Sequence, residues 1–267
     1  MSALCTVAYV INRISTGGLR VRGVASVDDE LFALLQRDYN QVAVYSTSDY
    51  KLLRYLDVPG YKPNSDCDMT ACVQRKCLYI IMSDGSRCCI LRYALADGAT
   101  SRWSLPRGSC VGLSVTPTGN LLATCRSPNK LVELSADSGA KVREIAIQED
   151  IKTPHHGVKL VDGQFVVCHG AFRIHRMRMV DDDFTVTGSY GGLFRLTRPR
   201  QLAVDEHSEL IFVADMGNDR VVVLTPKLEF VRYIQKGLSN PQRLYLDQPT
   251  RRLYAAQSRG DVVVIQL

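Results

Sequence analysis

Apolar and polar positions along this chain alternate in short bursts, and no long stretch repeats with a helical period. One pattern recurs: an apolar strand, a polar loop of about four to six residues, and a second apolar strand. Six copies can be written: LFALLQRDYNQVAVY from Leu31, LYIIMSDGSRCCILRY from Leu78, LLATCRSPNKLVEL from Leu121, QFVVCHGAFRIHRMRM from Gln164, IFVADMGNDRVVVL from Ile211 and LYAAQSRGDVVVIQL from Leu253. The equivalent positions Phe32, Tyr79, Leu122, Phe165, Phe212 and Tyr254 are 47, 43, 43, 47 and 42 residues apart. That spacing suits four-stranded propeller blades.

Further short strands flank the copies. Those before them include Arg22 to Val27, Val111 to Val115, Gly157 to Val161, Gln201 to Asp205 and Arg243 to Asp247; those after them are clearest at Lys51 to Leu56 and Phe230 to Gln235. Four strands per unit result, punctuated by Gly, Asn, Asp and Pro, and helix should be nearly absent. The sixth unit lacks a fourth strand after Leu267, whereas Thr6 to Ile11, TVAYVI, has strand composition ahead of the first unit. Pairing that leading strand with the last blade closes the ring and removes two open sheet edges. The expected fold is therefore all-β, a six-bladed β-propeller of four-stranded repeats forming one domain over residues 1–267. Its blades fall at approximately 17–60, 61–105, 106–150, 151–194, 195–238, and 239–267 with 1–16. A β-sandwich explains neither the period nor the displaced strand.

The fifth unit, RPRQLAVDEHSELIFVADMGNDRVVVL from Arg198, closely resembles the NHL repeat, through Pro199, Leu202, Val204, Asp205, Phe212, Val213, Ala214, Asp215, Asn218, Arg220 and Val221. The sixth keeps Pro241, Leu244, Leu246, Asp247, Leu253, Tyr254 and Val262 to Val264, with Gln257 in place of the second Asp. The other units keep only the apolar skeleton. The chain is thus similar to the C-terminal propeller of TRIM-NHL proteins, a resemblance that implies recognition of RNA or protein partners. No RING-like or B-box Cys/His spacing and no heptad coiled coil accompanies it.

Charge sharpens that expectation. The 33 Lys and Arg exceed the 27 Asp and Glu, for a formal charge of +6. Loops between second and third strands carry Arg37, Arg87, Arg126, Lys130, Arg173, Arg220 and Arg259 against Asp38, Asp84, Asp219 and Asp261. Entries to the inner strands add Arg22, Lys62, Arg107, Arg198, Arg200 and Arg243; Tyr39 and Phe172 offer aromatic faces, and His156 a polar rim contact. A basic rim with aromatics suits single-stranded RNA, because Arg pairs with phosphate while rings stack on unpaired bases. The reading is a non-catalytic platform binding single-stranded RNA, with a protein-interaction scaffold or the substrate-recruiting module of a ubiquitin ligase as alternative. Against it, each loop Arg can be tied up inside its own repeat, as Asp215 could hold Arg220.

Enzyme readings find less support. Some related propellers hold zinc or calcium with ligands from several blades, which would make this a metal-dependent lyase or lactonase. Here His155, His156, His169 and His175 all belong to the fourth unit, with only His207 elsewhere, so no metal or other cofactor is expected. No Gly-rich phosphate loop or Ser-His-Asp arrangement can be assembled. The nine cysteines show neither a C-x-x-C pattern nor a framework spacing, which suggests buried thiols and a reducing, cytoplasmic compartment. Trp103, in an outer strand, is expected to pack between blades, and Asp181 to Asp183 to form a solvated turn. The N-terminus lacks a signal-peptide pattern, and no apolar run is long enough to span a membrane.

Overall fold

β-Branched and aromatic residues on alternating positions favour extended chain, and strands dominate the structure. This is a computed structural model that describes residues 8–36, 41–61, 67–83, 87–105, 108–148, 151–180, 183–192 and 195–267. Among the described residues the one helical element is a 3-10 turn at Met216–Asn218.

A leading strand, β1 (Tyr9–Ser15), precedes six groups. The first comprises β2 (Val21–Val27), β3 (Glu30–Leu35), β4 (Gln41–Ser46) and β5 (Leu52–Asp57), and the second β6 (Asp68–Cys72), β7 (Cys77–Ser83), β8 (Cys88–Ala94) and β9 (Thr100–Ser104). The third contains β10 (Ser109–Val115), β11 (Leu121–Ser127), β12 (Asn129–Leu134) and β13 (Lys141–Ala146). The fourth follows with β14 (Pro154–Lys159), β15 (Phe165–His169), β16 (Arg173–Val180) and β17 (Asp183–Gly191). The fifth is β18 (Pro199–Val204), β19 (Ile211–Asp215), β20 (Arg220–Leu224) and β21 (Phe230–Ile234). The sixth has β22 (Pro241–Asp247), β23 (Arg252–Gln257) and β24 (Asp261–Gln266), with β1 added outside β24 as its fourth strand.

Each group is an antiparallel four-stranded sheet. The inner strands β2, β6, β10, β14, β18 and β22 touch one another in turn, and β22 returns to β2. The fold is a six-bladed β-propeller. The closing pair sets Tyr9 opposite Gln266 and Ser15 opposite Asp261. The closing strand runs later than the expected Thr6 to Ile11, of which Thr6 and Val7 lie outside the described residues. Polar Asn12 and Arg13 extend it because an outer strand faces water; Arg13 donates to Asp261 at 3.0 Å and to the Gly237 carbonyl at 2.6 Å.

The six periodic residues Phe32, Tyr79, Leu122, Phe165, Phe212 and Tyr254 are all at most 1% exposed, because the second strand of every blade is covered on both faces by neighbouring blades. Each such side chain contributes about 1.5–3 kcal/mol through removal from water. The blades touch closely at the centre: a Cβ on Gly23 would come within 2.5 Å of Met69 Cβ and 2.6 Å of its backbone nitrogen. At the periphery Trp103 lies flat against Gly139 of the next blade, 6.0 Å from the Tyr79 ring.

Two expectations about thiols and strands are corrected. Cys110 and Cys125 form a disulfide, since the β10–β11 register sets them directly opposite; Cys67, Cys72, Cys77, Cys88, Cys89 and Cys168 are buried free thiols. The inner strand β6 escaped sequence reading because it opens on a buried acid, Asp68, where an apolar residue is the norm. Asp181 and Asp182 lie outside the described residues, and Asp183 opens β17. Among the described residues no helix is long and apolar enough to cross a membrane.

Candidate functional site

Inner strands in a propeller run side by side around a central channel, so residues at their first positions converge whatever their distance in sequence. At that end a cavity of about 410 Å³ is lined by Arg20 and Arg22 of the first blade, Arg126 of the third, His155 of the fourth, Arg198 and Arg200 of the fifth and Arg243 of the sixth. Val111, Met216 and Gln242 complete the wall, which contains no carboxylate among the described residues. Six guanidinium groups therefore share one concave space, and of these Arg243 has an acid beneath it, Asp68 at 3.6 Å.

The protein's own groups occupy some of those donors. Arg22 Nε donates to Gln36 Oε1 at 3.0 Å; Arg243 donates to the carbonyls of Arg22 at 2.7 Å and Cys67 at 2.9 Å. Arg126 donates to the Pro154 carbonyl at 3.2 Å and to Nδ1 of His155 at 2.7 Å. The guanidinium of Arg200 has no hydrogen-bond or ion-pair partner among the described residues. Burial, then the neighbouring Arg198, Arg126 and Arg243, work against its charge and lower its pKa; burial, then Arg243 and Arg20, do the same for Arg22. Uncompensated, partly desolvated cations attract an anion most strongly, because little water competes for them.

His155 is neutral in this wall. Arginine cannot accept a hydrogen bond, so Nδ1 must be the acceptor and Nε2 carries the proton, donated to the Gly170 carbonyl at 3.2 Å. Burial and then Arg126 and Arg200 push its pKa down to about 3.

A polar plug closes the channel beneath this mouth. Asp68, fully buried, accepts from the backbone of Leu113 at 3.0 Å and of Met69 at 2.9 Å, and from Gln201 Nε2 at 3.2 Å, with Arg243 3.6 Å away. Gln201 Oε1 accepts from the Leu244 amide at 2.8 Å, and His156 is held between the Leu113 carbonyl and the Leu202 amide at 3.2 and 3.4 Å. Beyond the plug opens a second cavity of about 510 Å³, with His156 and Gln201 among its lining residues.

Of the residues expected on the binding face, Arg22, Arg126, Arg198, Arg200 and Arg243 meet in the first cavity. Arg37 and Tyr39 lie outside the described residues, as do Lys62 and Arg107. Arg87, Arg173 and Arg259 are exposed and Phe172 half-buried, and none of the four lines the cavity. Three expectations are corrected. Arg220 is bound to buried Asp215 at 2.7 Å and stacks 3.8 Å over Tyr233; Asp215 also accepts from Thr197 and Asn218. Lys130 is buried against Glu144 at 2.8 Å. His156 sits in the plug, since a register shift in β14 between Pro154 and His156 separates the neighbouring histidines. Arg20 and Gln242 were missed, and the wall position of His155 gave no sign in sequence beyond the His155-His156 pair itself. His169 and His175 are buried in the blade interior, where His169 Nε2 and His175 Nδ1 share a hydrogen bond at 3.2 Å. Among the described residues no group of three His, Cys, Asp or Glu could hold a metal ion.

No family model and no curated protein matches the chain in sequence, so the NHL resemblance is not confirmed. Solved structures do resemble it. One is selenomethionine-substituted virginiamycin B lyase from Staphylococcus aureus, with a TM-score of 0.68 and 13% identity over 98% of this chain and 100% of that one. Another is a catalytically inactive form of the same lyase with quinupristin, with a TM-score of 0.66 and 14% identity over 98% of this chain and 99% of that one. At such identity the shared property is the fold. These neighbours nevertheless overturn two expectations, a platform for single-stranded RNA and a protein without catalytic activity, because the propellers found are those of an enzyme. The physical reason is visible in the site. Arg22, Arg126, Arg200 and Arg243 gather around one concave cavity the size of a small molecule, and Phe172 is not among its lining residues.

Proposed function

We propose that the chain is an enzyme of lyase type acting on a small anionic molecule, held in the arginine-lined mouth of the propeller. One observation carries this reading: six arginines from four blades share a cavity of about 410 Å³ whose wall has no carboxylate among the described residues. That volume fits a small molecule. In an elimination, the proton next to a carboxylate is removed, its electron pair forms the new double bond, and the leaving group departs with the electrons of the broken bond. Negative charge builds on the carboxylate during that step, and fixed guanidinium groups stabilise it there. The likeness in fold to a lyase supports the same reaction class.

The test is turnover by the full chain of small carboxylates bearing hydroxy, acyloxy or amino leaving groups on the β-carbon, one beyond the carbon that loses the proton, read as ultraviolet absorbance of the conjugated product. Quinupristin, the molecule held by the inactive neighbour, belongs in the panel for comparison. At least one anionic substrate should react, and Arg200→Gln should slow it by about 100-fold. A panel without turnover, together with no binding of any of its anions, would sink the proposal.

A further inference from the structure

Arg126 and His155 stand in an unusual relation. They come from neighbouring blades, and the guanidinium, the strongest donor available to a side chain, points at the only lone pair of a neutral imidazole, 2.7 Å from Nδ1. The other nitrogen is fixed by the Gly170 carbonyl at 3.2 Å, so the ring is held in one orientation with its acceptor edge beside Arg126. Both residues line the cavity. A carboxylate or sulfate oxygen is a far better acceptor for Arg126 than an imidazole nitrogen, because the resulting hydrogen bond joins two opposite charges.

We propose that Arg126 is a latch on His155: an oxyanion that takes over Arg126 leaves Nδ1 as the proton acceptor of the mouth. This rests on the anion-site reading above and assigns its base. In the elimination, the C–H bond next to the carboxylate breaks and its proton goes to Nδ1. The electron pair becomes the double bond, the leaving group takes the electrons of its own bond, and the imidazolium returns the proton to it. The Gly170 carbonyl holds Nε2–H throughout and steadies the cation formed. The charged groups bearing on His155 are Arg126 from β11, Arg200 from β18 and Arg243 from β22. All are cations that a bound anion offsets, so the same event that delivers substrate makes the base stronger.

Sulfate is a suitable probe, since it does not titrate between pH 4 and pH 8. In ¹⁵N-labelled full chain, the His155 ring signal, identified by its loss in His155→Asn, reports tautomer and titration directly. Without sulfate the ring should remain neutral with the proton on Nε2, and saturating sulfate should raise its midpoint by about one pH unit or more. Arg126→Leu, which removes both donor and charge, should raise it without sulfate. His155→Asn should still bind sulfate while turnover falls about 100-fold or more, because an acid–base contribution is lost but the anion site is kept. A midpoint unmoved by bound sulfate would overturn the latch alone. Failure of sulfate to bind the wild-type chain would overturn the anion site, and the latch with it.

Discussion

The two ends of the channel are built by the same six inner strands, yet their chemistry differs. The arginine mouth gathers six cations, and no acid lines it among the described residues. The opposite mouth mixes Lys159, Glu206 and Asp247 with apolar walls from Val115, Val158 and Leu246. Two of its charges are internally answered: Lys159 lies 3.2 Å from buried Glu133, which also holds Arg143 at 2.6 Å, and Asp247 accepts from Thr250 at 2.6 Å. The lesson is that charge alone does not mark a site. A cation already satisfied by the protein has no affinity left for a ligand, whereas one held without an acid carries a standing electrostatic cost that an anion relieves.

The largest test of this contrast lies at the partition. Asp68→Ala should lower stability by about 3–5 kcal/mol, measured by urea denaturation, because Arg243 and Gln201 lose the buried acid that joins them. A loss below about 1 kcal/mol would mean that the plug does not hold the two ends apart.

Next comes a comparison of two arginines. Arg220→Ala strands Asp215 in the interior and should remove about 3 kcal/mol of stability while sulfate affinity is unchanged. Arg200→Gln should do the reverse: stability within about 0.5 kcal/mol of wild type and sulfate affinity lower by about tenfold, measured by isothermal titration calorimetry. Lys159→Gln, at the other end, should leave sulfate affinity alone. If Lys159→Gln weakened sulfate as much as Arg200→Gln, the distinction between the mouths would collapse.

The smallest effect is on acid stability. A histidine whose folded pKa lies near 3 binds fewer protons folded than unfolded at mildly acidic pH. Stability contributed this way is present above the ordinary histidine range near pH 6.5 and is lost as pH falls from there toward 3. His155→Asn should flatten that part of the stability profile, and saturating sulfate should do so in the wild-type chain. Denaturation midpoints at a series of pH values would show it.

Much of the fold was legible because it depends on spacing. The recurring pair of apolar strands marks the buried middle of each blade, where a change of one residue would turn side chains to the wrong face. The closing strand was legible from what the last unit lacked. The inner strands were harder, since they line the channel and tolerate polar residues such as Asp68 and Arg243 at positions that look anomalous in isolation. In the site, arginines at strand entries could be seen, but Arg200 and Arg220 are equivalent as letters. Only the placement of Asp215 beneath one of them, and of no acid near the other, tells them apart. Likewise, the bulge that sends His155 to the wall and His156 to the plug is a backbone irregularity that no residue pattern announced.

The seam between β1 and β24 carries a temporal consequence. The last blade is assembled from the first and the last strands of the propeller in chain order. Until Asp261–Gln266 has emerged, the growing polypeptide is an open arc, and the arginine mouth, which needs blades one and six side by side, does not exist. Ligand recognition therefore has to wait for the last strand of the sixth blade, and until then the nascent arc carries an unpaired β-edge.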